Sequence, residues 1–216
     1  RELKINDRNT KILDVGCGGG ELLRELYKAG FKDCTGIDPF NKADFYINKS
    51  LRILKQDLLS HSGKYDLIML HHSLEHMPNQ QKIIEKIGQL LNANGKVLIR
   101  IPIVSEYLMN KFGTNVVSLD APRHLFIHSI NSIEKLLKSN GFAIESKIYD
   151  AKPFSFMASE QYAKGIGMFN NKESYYVNNQ SPLFPEEKIK SYQEKIKMLN
   201  QKGLSDTVCL YIKKMP

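Results

Sequence analysis

The chain has 216 residues, 42% of them apolar, and a formal net charge of +8. This length and apolar content exclude a disordered chain and suit one α/β domain with a full core and room for an insertion. No apolar run reaches the roughly 18 residues of a membrane span, and no secretory signal is visible, so stable membrane insertion is not expected.

In chain order, KILDVG (11–16) reads as a buried strand and ELLRELYKAG (21–30) as an amphipathic helix stopped by Gly30. DCTGIDPF (33–40) and LRILKQDL (51–58) supply a second and third strand, and YDLIMLHH (65–72) a strongly apolar fourth. QQKIIEKIGQLLNANG (80–95) has helical spacing, and KVLIRIPIV (96–104) is a fifth strand. Residues 105–128 read as a long loop. A helix over 128–141 follows, with Ser129 or Asn131 as its cap and Gly141 as its terminator. FAIESKIYD (142–150) and SDTVCLYIKK (205–214) are the sixth and seventh strands. Between them, 151–203 shows no core pattern of its own and holds two helical stretches, near 155–166 and 185–201. Strands alternating with helices predict a mostly parallel sheet covered on both faces.

Charge and cysteines narrow the class further. Only six of the 31 basic residues are arginine, and the lysines are mixed with glutamates, as in EEKIKSYQEKIK (186–197). That pattern is a solvated helix face rather than a nucleic-acid track, so no nucleic-acid partner is expected. Cys17, Cys34 and Cys209 are too scattered for a disulfide framework or a zinc site and imply a reducing, cytoplasmic compartment. The chain opens at Arg1 without a methionine, which leaves room for a preceding segment.

Four of the five residues 16–20 are glycine, in a turn between a strand and a helix. Such a turn lets a ligand approach the backbone and exposes free N–H groups at the helix start. Gly16 and Gly18 fit the dinucleotide fingerprint, but its third glycine would fall on Glu21, and no Lys-Ser/Thr follows to make a P-loop. Asp14, inside the strand end, would repel a pyrophosphate and suits a ligand with an amino group. Asp38, at the end of the second strand, can accept both hydroxyls of a ribose, and Asp57, at the end of the third, can meet an adenine amino group. Amino acid, ribose and adenine together describe S-adenosylmethionine.

With LDVGCGGG (13–20), GIDP (36–39), QDL (56–58), YDLIMLHHSLEHM (65–77) and LLNANGKVLIRIP (90–102) in order, the chain resembles the class I S-adenosylmethionine-dependent methyltransferases. The resemblance implies a single Rossmann-like α/β domain over 1–216. Its seven-stranded sheet would have the order 3-2-1-4-5-7-6, strand 7 antiparallel, with helices on both faces. Residues 151–203 would be a helical insertion between strands 6 and 7, a lid or a subunit contact, and a homodimer stays open. It implies that Asp14, Gly16, Cys17 and Gly18 hold the methionine part and that Asp38 and Pro39 hold the ribose. Asp57 and Leu58 would frame the adenine, and the carbonyl of His71 would receive the amino group.

LEH (74–76) and DAPRHLFIHS (120–129) resemble bacterial methyltransferases of polysaccharide and sugar-nucleotide pathways. The expected reaction is O-methylation of a sugar or sugar-nucleotide hydroxyl. A histidine would take the proton, His124 first, then His72, with His76 in the same cluster. Arg123 would grip an anionic group, and Tyr107 and Phe126 would stack on the acceptor. LEH also occurs in ubiquinone-biosynthesis O-methyltransferases, some of which hold a metal with an acid–x–x–Glu–His pattern. Here His72 replaces the first acid, and no metal is expected. Other acceptors (a quinol, an amine or RNA) and a non-catalytic cofactor-binding subunit are the alternatives.

Overall fold

The computed structural model describes residues 5–169, 172–179 and 181–215. KILDV forms β1 (Lys11–Val15), buried from Ile12 onward as a strand covered on both faces requires. After the glycine turn, α1 (Glu21–Lys28) buries Leu23 and leads back to β2 (Asp33–Ile37). β4 (Leu51–Leu54) lies parallel to β2, and β5 (Tyr65–His71) lies on the other side of β1. α2 (Gln80–Leu90) buries Ile83, Ile84 and Ile87 and runs straight into β6 (Leu91–Pro102). α4 (Ile130–Ser139), β7 (Phe142–Tyr149) and β8 (Thr207–Lys214) complete the sheet region.

The sheet has eight strands in the order β3-β4-β2-β1-β5-β6-β8-β7. Seven were expected. The addition is β3 (Phe45–Asn48), antiparallel to β4 at the edge, and it changes the stated order by one outer strand. All four of its side chains are exposed, so the apolar/polar alternation that marks a half-buried strand is missing from its sequence. The β1–β2, β1–β5, β2–β4 and β5–β6 pairs are parallel. β8 runs against β7: the Met215 N–H donates to the Gly141 carbonyl at one end, and the Asp150 N–H to the Thr207 carbonyl at the other.

Two boundaries differ from expectation. The helix expected over 80–95 stops at Leu90. Asn92 donates to the Asp66 carboxylate (2.6 Å), and Leu91 already pairs with Tyr65, so this stretch is held along β5 as strand. The expected loop 105–128 contains α3 (Glu106–Phe112), whose Ser105 Oγ accepts from the Leu108 N–H as an N-cap, followed by two 3₁₀ turns.

The chain divides into two compact units, Arg1–Ile101 with Asn131–Lys147 and Cys209–Pro216, and Pro102–Ile130 with Ile148–Val208. The first is built on the sheet, with Ile12, Leu23, Cys34, Leu51 and Leu67 in one cluster. The second has a core that the sequence of 151–203 does not show by itself. α5 (Phe154–Ala163) and α6 (Glu186–Lys202) pack with Leu108 and Val116 from the preceding segment. Phe156 is its centre, edge-on to Tyr107 and Phe112 (6.2 Å each) and stacked on Tyr192 at 5.0 Å. The expected insertion 151–203 contains residues 170, 171 and 180, which lie outside the described residues.

Phe156→Ala should cost about 3–5 kcal/mol, the range for removing a fully buried ring. The exposed Val177→Ala should stay within about 0.5 kcal/mol. Urea unfolding followed by tyrosine fluorescence checks both, and a loss below about 1 kcal/mol for Phe156→Ala would remove it from the centre of the core.

Candidate active site

β1 has β2 on one side and β5 on the other, so the strand order reverses there. In open α/β sheets the crevice beyond the carboxyl ends at such a point is where ligands bind. The turns after β1 and β5 meet closely. Ser73 Oγ donates to the Val15 carbonyl (2.8 Å), and a Cβ on Gly16 would lie 2.5 Å from Ser73 Cβ. Gly16, Gly18 and Gly20 have φ of +74°, +51° and +79°, a region that side chains disfavour. A Cβ on Gly20 would collide with Ile53, while the space beside Gly18 is open.

Asp38, at the end of β2, organises this turn. Its Oδ2 accepts from the Gly18 N–H (3.0 Å) and its Oδ1 from the Phe40 N–H (2.9 Å). Asn41, which sequence reading did not single out, donates to the Gly18 carbonyl (3.0 Å). Pro39 is exposed between them. The Cys17 side chain turns inward, where a Cβ on Gly36 would strike its Sγ at 2.5 Å. Burial, and then the charges of Asp14, Asp38 and Glu21, push that thiol up to about 12, so it stays protonated. Asp14 is 3% exposed, and its Oδ1 has no hydrogen-bond partner. Burial raises its carboxyl from 3.8 to about 7. A buried acid with an unused oxygen, a glycine turn open at Gly18 and a carboxylate after β2 fit a cofactor that carries an amino group and a ribose.

Asp57 is exposed at the end of β4 and caps a 3₁₀ turn, its Oδ1 accepting from the Leu59 N–H (2.8 Å), with Leu58 buried beside it. His71 ends β5 half-buried, in register with Arg100 of β6. His72 follows in the left-handed region (φ 51°), its N–H on the Arg100 carbonyl. Its Nδ1 lies 3.3 Å from Glu75 Oε1, and its Nε2 is 2.6 Å from Arg100 Nη1. Glu75 is 2% exposed, with Oε2 unpartnered, and His76 is exposed on the same turn. Arg100 was missed by sequence reading. A lone arginine in the apolar run VLIRIPI was the available signal.

The other expected residues belong to the second unit. Arg123 ion-pairs with Asp120 (2.6 Å) and is exposed. His124 Nδ1 bonds the Ser118 carbonyl (2.8 Å), and its Nε2 is 3.6 Å from Asp120. Phe126 is exposed and stacked on His128 (6.4 Å). Tyr107 is half-buried against Phe156.

A family model described as a methyltransferase domain matches residues 1–147. The chain belongs to this family. Ubiquinone biosynthesis O-methyltransferase of Escherichia fergusonii is 29% identical over 46% of this chain and 50% of its own, so the chain spans about half the length of the curated relatives it matches. A putative sarcosine dimethylglycine methyltransferase from Galdieria sulphuraria shares the fold, with a TM-score of 0.61 at 13% identity over 97% of this chain and 80% of its own. So does magnesium protoporphyrin IX methyltransferase from Synechocystis with bound SAH, with a TM-score of 0.51 at 22% identity over 64% of this chain and 67% of its own. The domain is of the class I, S-adenosylmethionine-dependent kind expected from its motifs.

The Asp14 carboxyl keeps its proton in the folded chain up to about pH 7, while the unfolded chain loses it near 3.8. Its contribution to stability therefore falls as pH rises from about 4 to about 7 and is flat outside that window. Asp14→Asn removes this slope. The variant should gain stability on the parent across pH 4–7, by up to about 3–4 kcal/mol. Urea titrations at several pH values measure the difference, and a constant difference would mean that Asp14 ionises normally.

Proposed function

We propose that the protein is an O-methyltransferase whose acceptor is a phenolic hydroxyl on a quinol-type ring. One observation carries this reading: the Arg100–His72–Glu75 chain at the carboxyl end of β5, directly after the strand whose last residue, His71, is expected to receive the cofactor's amino group. The relative named for ubiquinone biosynthesis supports the acceptor class. The sugar acceptor is the reading expected from LEH and DAPRHLFIHS. Its proposed anion grip, Arg123, is already engaged by Asp120.

Bound S-adenosylmethionine supplies an electrophilic methyl group on a positively charged sulfur, which becomes neutral when the acceptor oxygen displaces it. The chain's work is to align and to move one proton. Asp14 would face the amino group, and Gly16 and Gly18 would let the amino-acid part approach the backbone. Asp38 would receive the ribose hydroxyls, and Asp57 the adenine amino group, with Leu58 against the ring.

His72 has the wiring of a general base. Glu75 faces Nδ1 and fixes the tautomer, and Nε2 is the outward nitrogen, held by the Arg100 guanidinium. An acceptor hydroxyl would take the place of Arg100 at Nε2. The displaced guanidinium would then stabilise the oxygen as it loses its proton. Both His124 nitrogens already face protein oxygens, which places it behind His72.

In single-turnover assays with labelled cofactor, a catechol-type acceptor should be methylated and a panel of sugar nucleotides should not. The reverse result would return the sugar reading. With the accepted substrate, His72→Asn should slow the chemical step by about 10²–10⁴. His124→Asn should leave it within a few-fold. Equal losses in the two variants would reject His72 as the base.

A further inference from the structure

Several bonds of residues 56–61 converge on one residue that the motifs leave aside. His61 is only 5% exposed, although it sits in a short connection after β4. Its Nδ1 meets Gln56 Oε1 at 2.7 Å, and its Nε2 meets the Tyr65 hydroxyl at 2.8 Å. Its ring stacks on Tyr65 at 5.7 Å. Burial and the nearby Lys86 and Arg52 lower its proton affinity, so the ring is neutral and has one donor and one acceptor. Gln56 offers a carbonyl to Nδ1, so Nδ1 donates and Nε2 accepts from Tyr65.

Two sets of side-chain bonds surround this contact. Arg52 Nη2 donates to Thr35 Oγ1 (2.8 Å) and to Asp33 (3.0 Å). The Tyr65 hydroxyl donates to His61, which donates to Gln56. The Gln56 amide then reaches the Ser60 carbonyl at 3.4 Å. Thr35 is on β2, Arg52 on β4 and Tyr65 on β5. The relay from Tyr65 thus ties β5 to the turn 56–60, beside the bonds by which Arg52 joins β4 to β2. Within that turn, Asp57 caps Leu59, Ser60 Oγ bonds the Asp57 carbonyl, and the His61 N–H bonds the Leu58 carbonyl.

We infer that His61, held by Tyr65, is a positioning residue that sets the turn carrying Asp57 and Leu58 and thereby the recognition of the base of the cofactor. The inference rests on the reading above that Asp57 meets the adenine amino group. His61 touches no reacting atom. Its effect is geometric: the neutral ring fixes Gln56, and with it both ends of the turn, so that the exposed Asp57 carboxylate is presented at one distance from the sheet.

The test compares binding of S-adenosylhomocysteine with that of its analogue in which a 6-oxo group replaces the 6-amino group. The parent should prefer the amino form by about tenfold or more. Asp57→Ala should abolish the preference. Tyr65→Phe keeps the ring and removes only the hydroxyl, and His61→Leu removes both bonds. Both variants should reduce the preference at least threefold, with KM for S-adenosylmethionine raised and kcat near the parent value. A variant that only loosened the fold would lower the melting temperature and leave the preference intact. Where folding fails, His61→Gln replaces His61→Leu, with partial recovery expected because one amide can still bond Tyr65. If Asp57→Ala abolishes the preference while Tyr65→Phe and the soluble His61 variant keep it, the inference is overturned and the adenine reading stands. If Asp57→Ala itself leaves the preference unchanged, the adenine reading falls and takes the inference with it.

Discussion

The approach of Gly16 to Ser73 is the contact on which the rest of the site depends. No Cβ fits between them, and Gly16 is in a backbone region that favours glycine. The Gly16 N–H also donates to the Ile37 carbonyl (2.8 Å), so the ends of β1, β2 and β5 are fixed together within a few bonds. Asp38 follows Ile37 and holds Gly18, while Leu74 and Glu75 follow Ser73. Moving Gly16 would therefore displace the glycine turn, the acid after β2 and the histidine turn together. A side chain at position 16 would do more than block a ligand. It would separate the two turns whose chemistry has to meet.

Three acids on or beside the central strands of the first unit fall into two kinds, and the difference separates scaffold from site. Asp66 uses both oxygens on the protein, one on the Lys11 N–H (2.9 Å) and one on Asn92 (2.6 Å), and so joins β1, β5 and the start of β6. Asp14 and Glu75 each bury an oxygen with no partner. An unpaired buried acceptor costs about 1–3 kcal/mol, and nothing in the packing of the sheet requires it. His72 adds a left-handed backbone beside Glu75. Departures from local rules gathered at the carboxyl end of neighbouring strands are what a functional site looks like in a fold that is otherwise well satisfied.

The sheet was legible because its central strands are short apolar runs separated by helices with clear periodicity, and because the acids and glycines stand at strand ends. β3 was not legible. It is an exposed edge, and sequence periodicity reports burial rather than hydrogen bonding. α3 is seven residues long and too short for periodicity to mark, although Ser105 was a usable start signal. The core of the second unit was hidden because it is shared between 107–119 and 151–199, and neither segment looks amphipathic against itself. At the site, residues that act by type and position were readable: Asp14, the glycines and Asp38. Asn41, Ser73 and Arg100 act through partners distant in sequence, and only the fold supplies those partners, whereas His61 bonds its near neighbours Gln56 and Tyr65 in a connection that no periodicity marks.

The first unit also carries a local charge opposite in sign to the chain's net charge. The chain as a whole carries +8, yet Asp14, Asp38 and Glu21 all raise the Cys17 thiol, so the field at the glycine turn is negative. A dinucleotide pyrophosphate would be placed against that field, whereas a ligand with an ammonium and a sulfonium is attracted to it. Raising Asp14 to about 7 limits the cost: without a cation beside it the carboxyl can keep its proton, and a bound cation favours its ionisation. Charge at the turn is thus set by what binds there. A glycine turn that could cradle phosphate is here set against one aspartate inside the strand and one at the end of its neighbour.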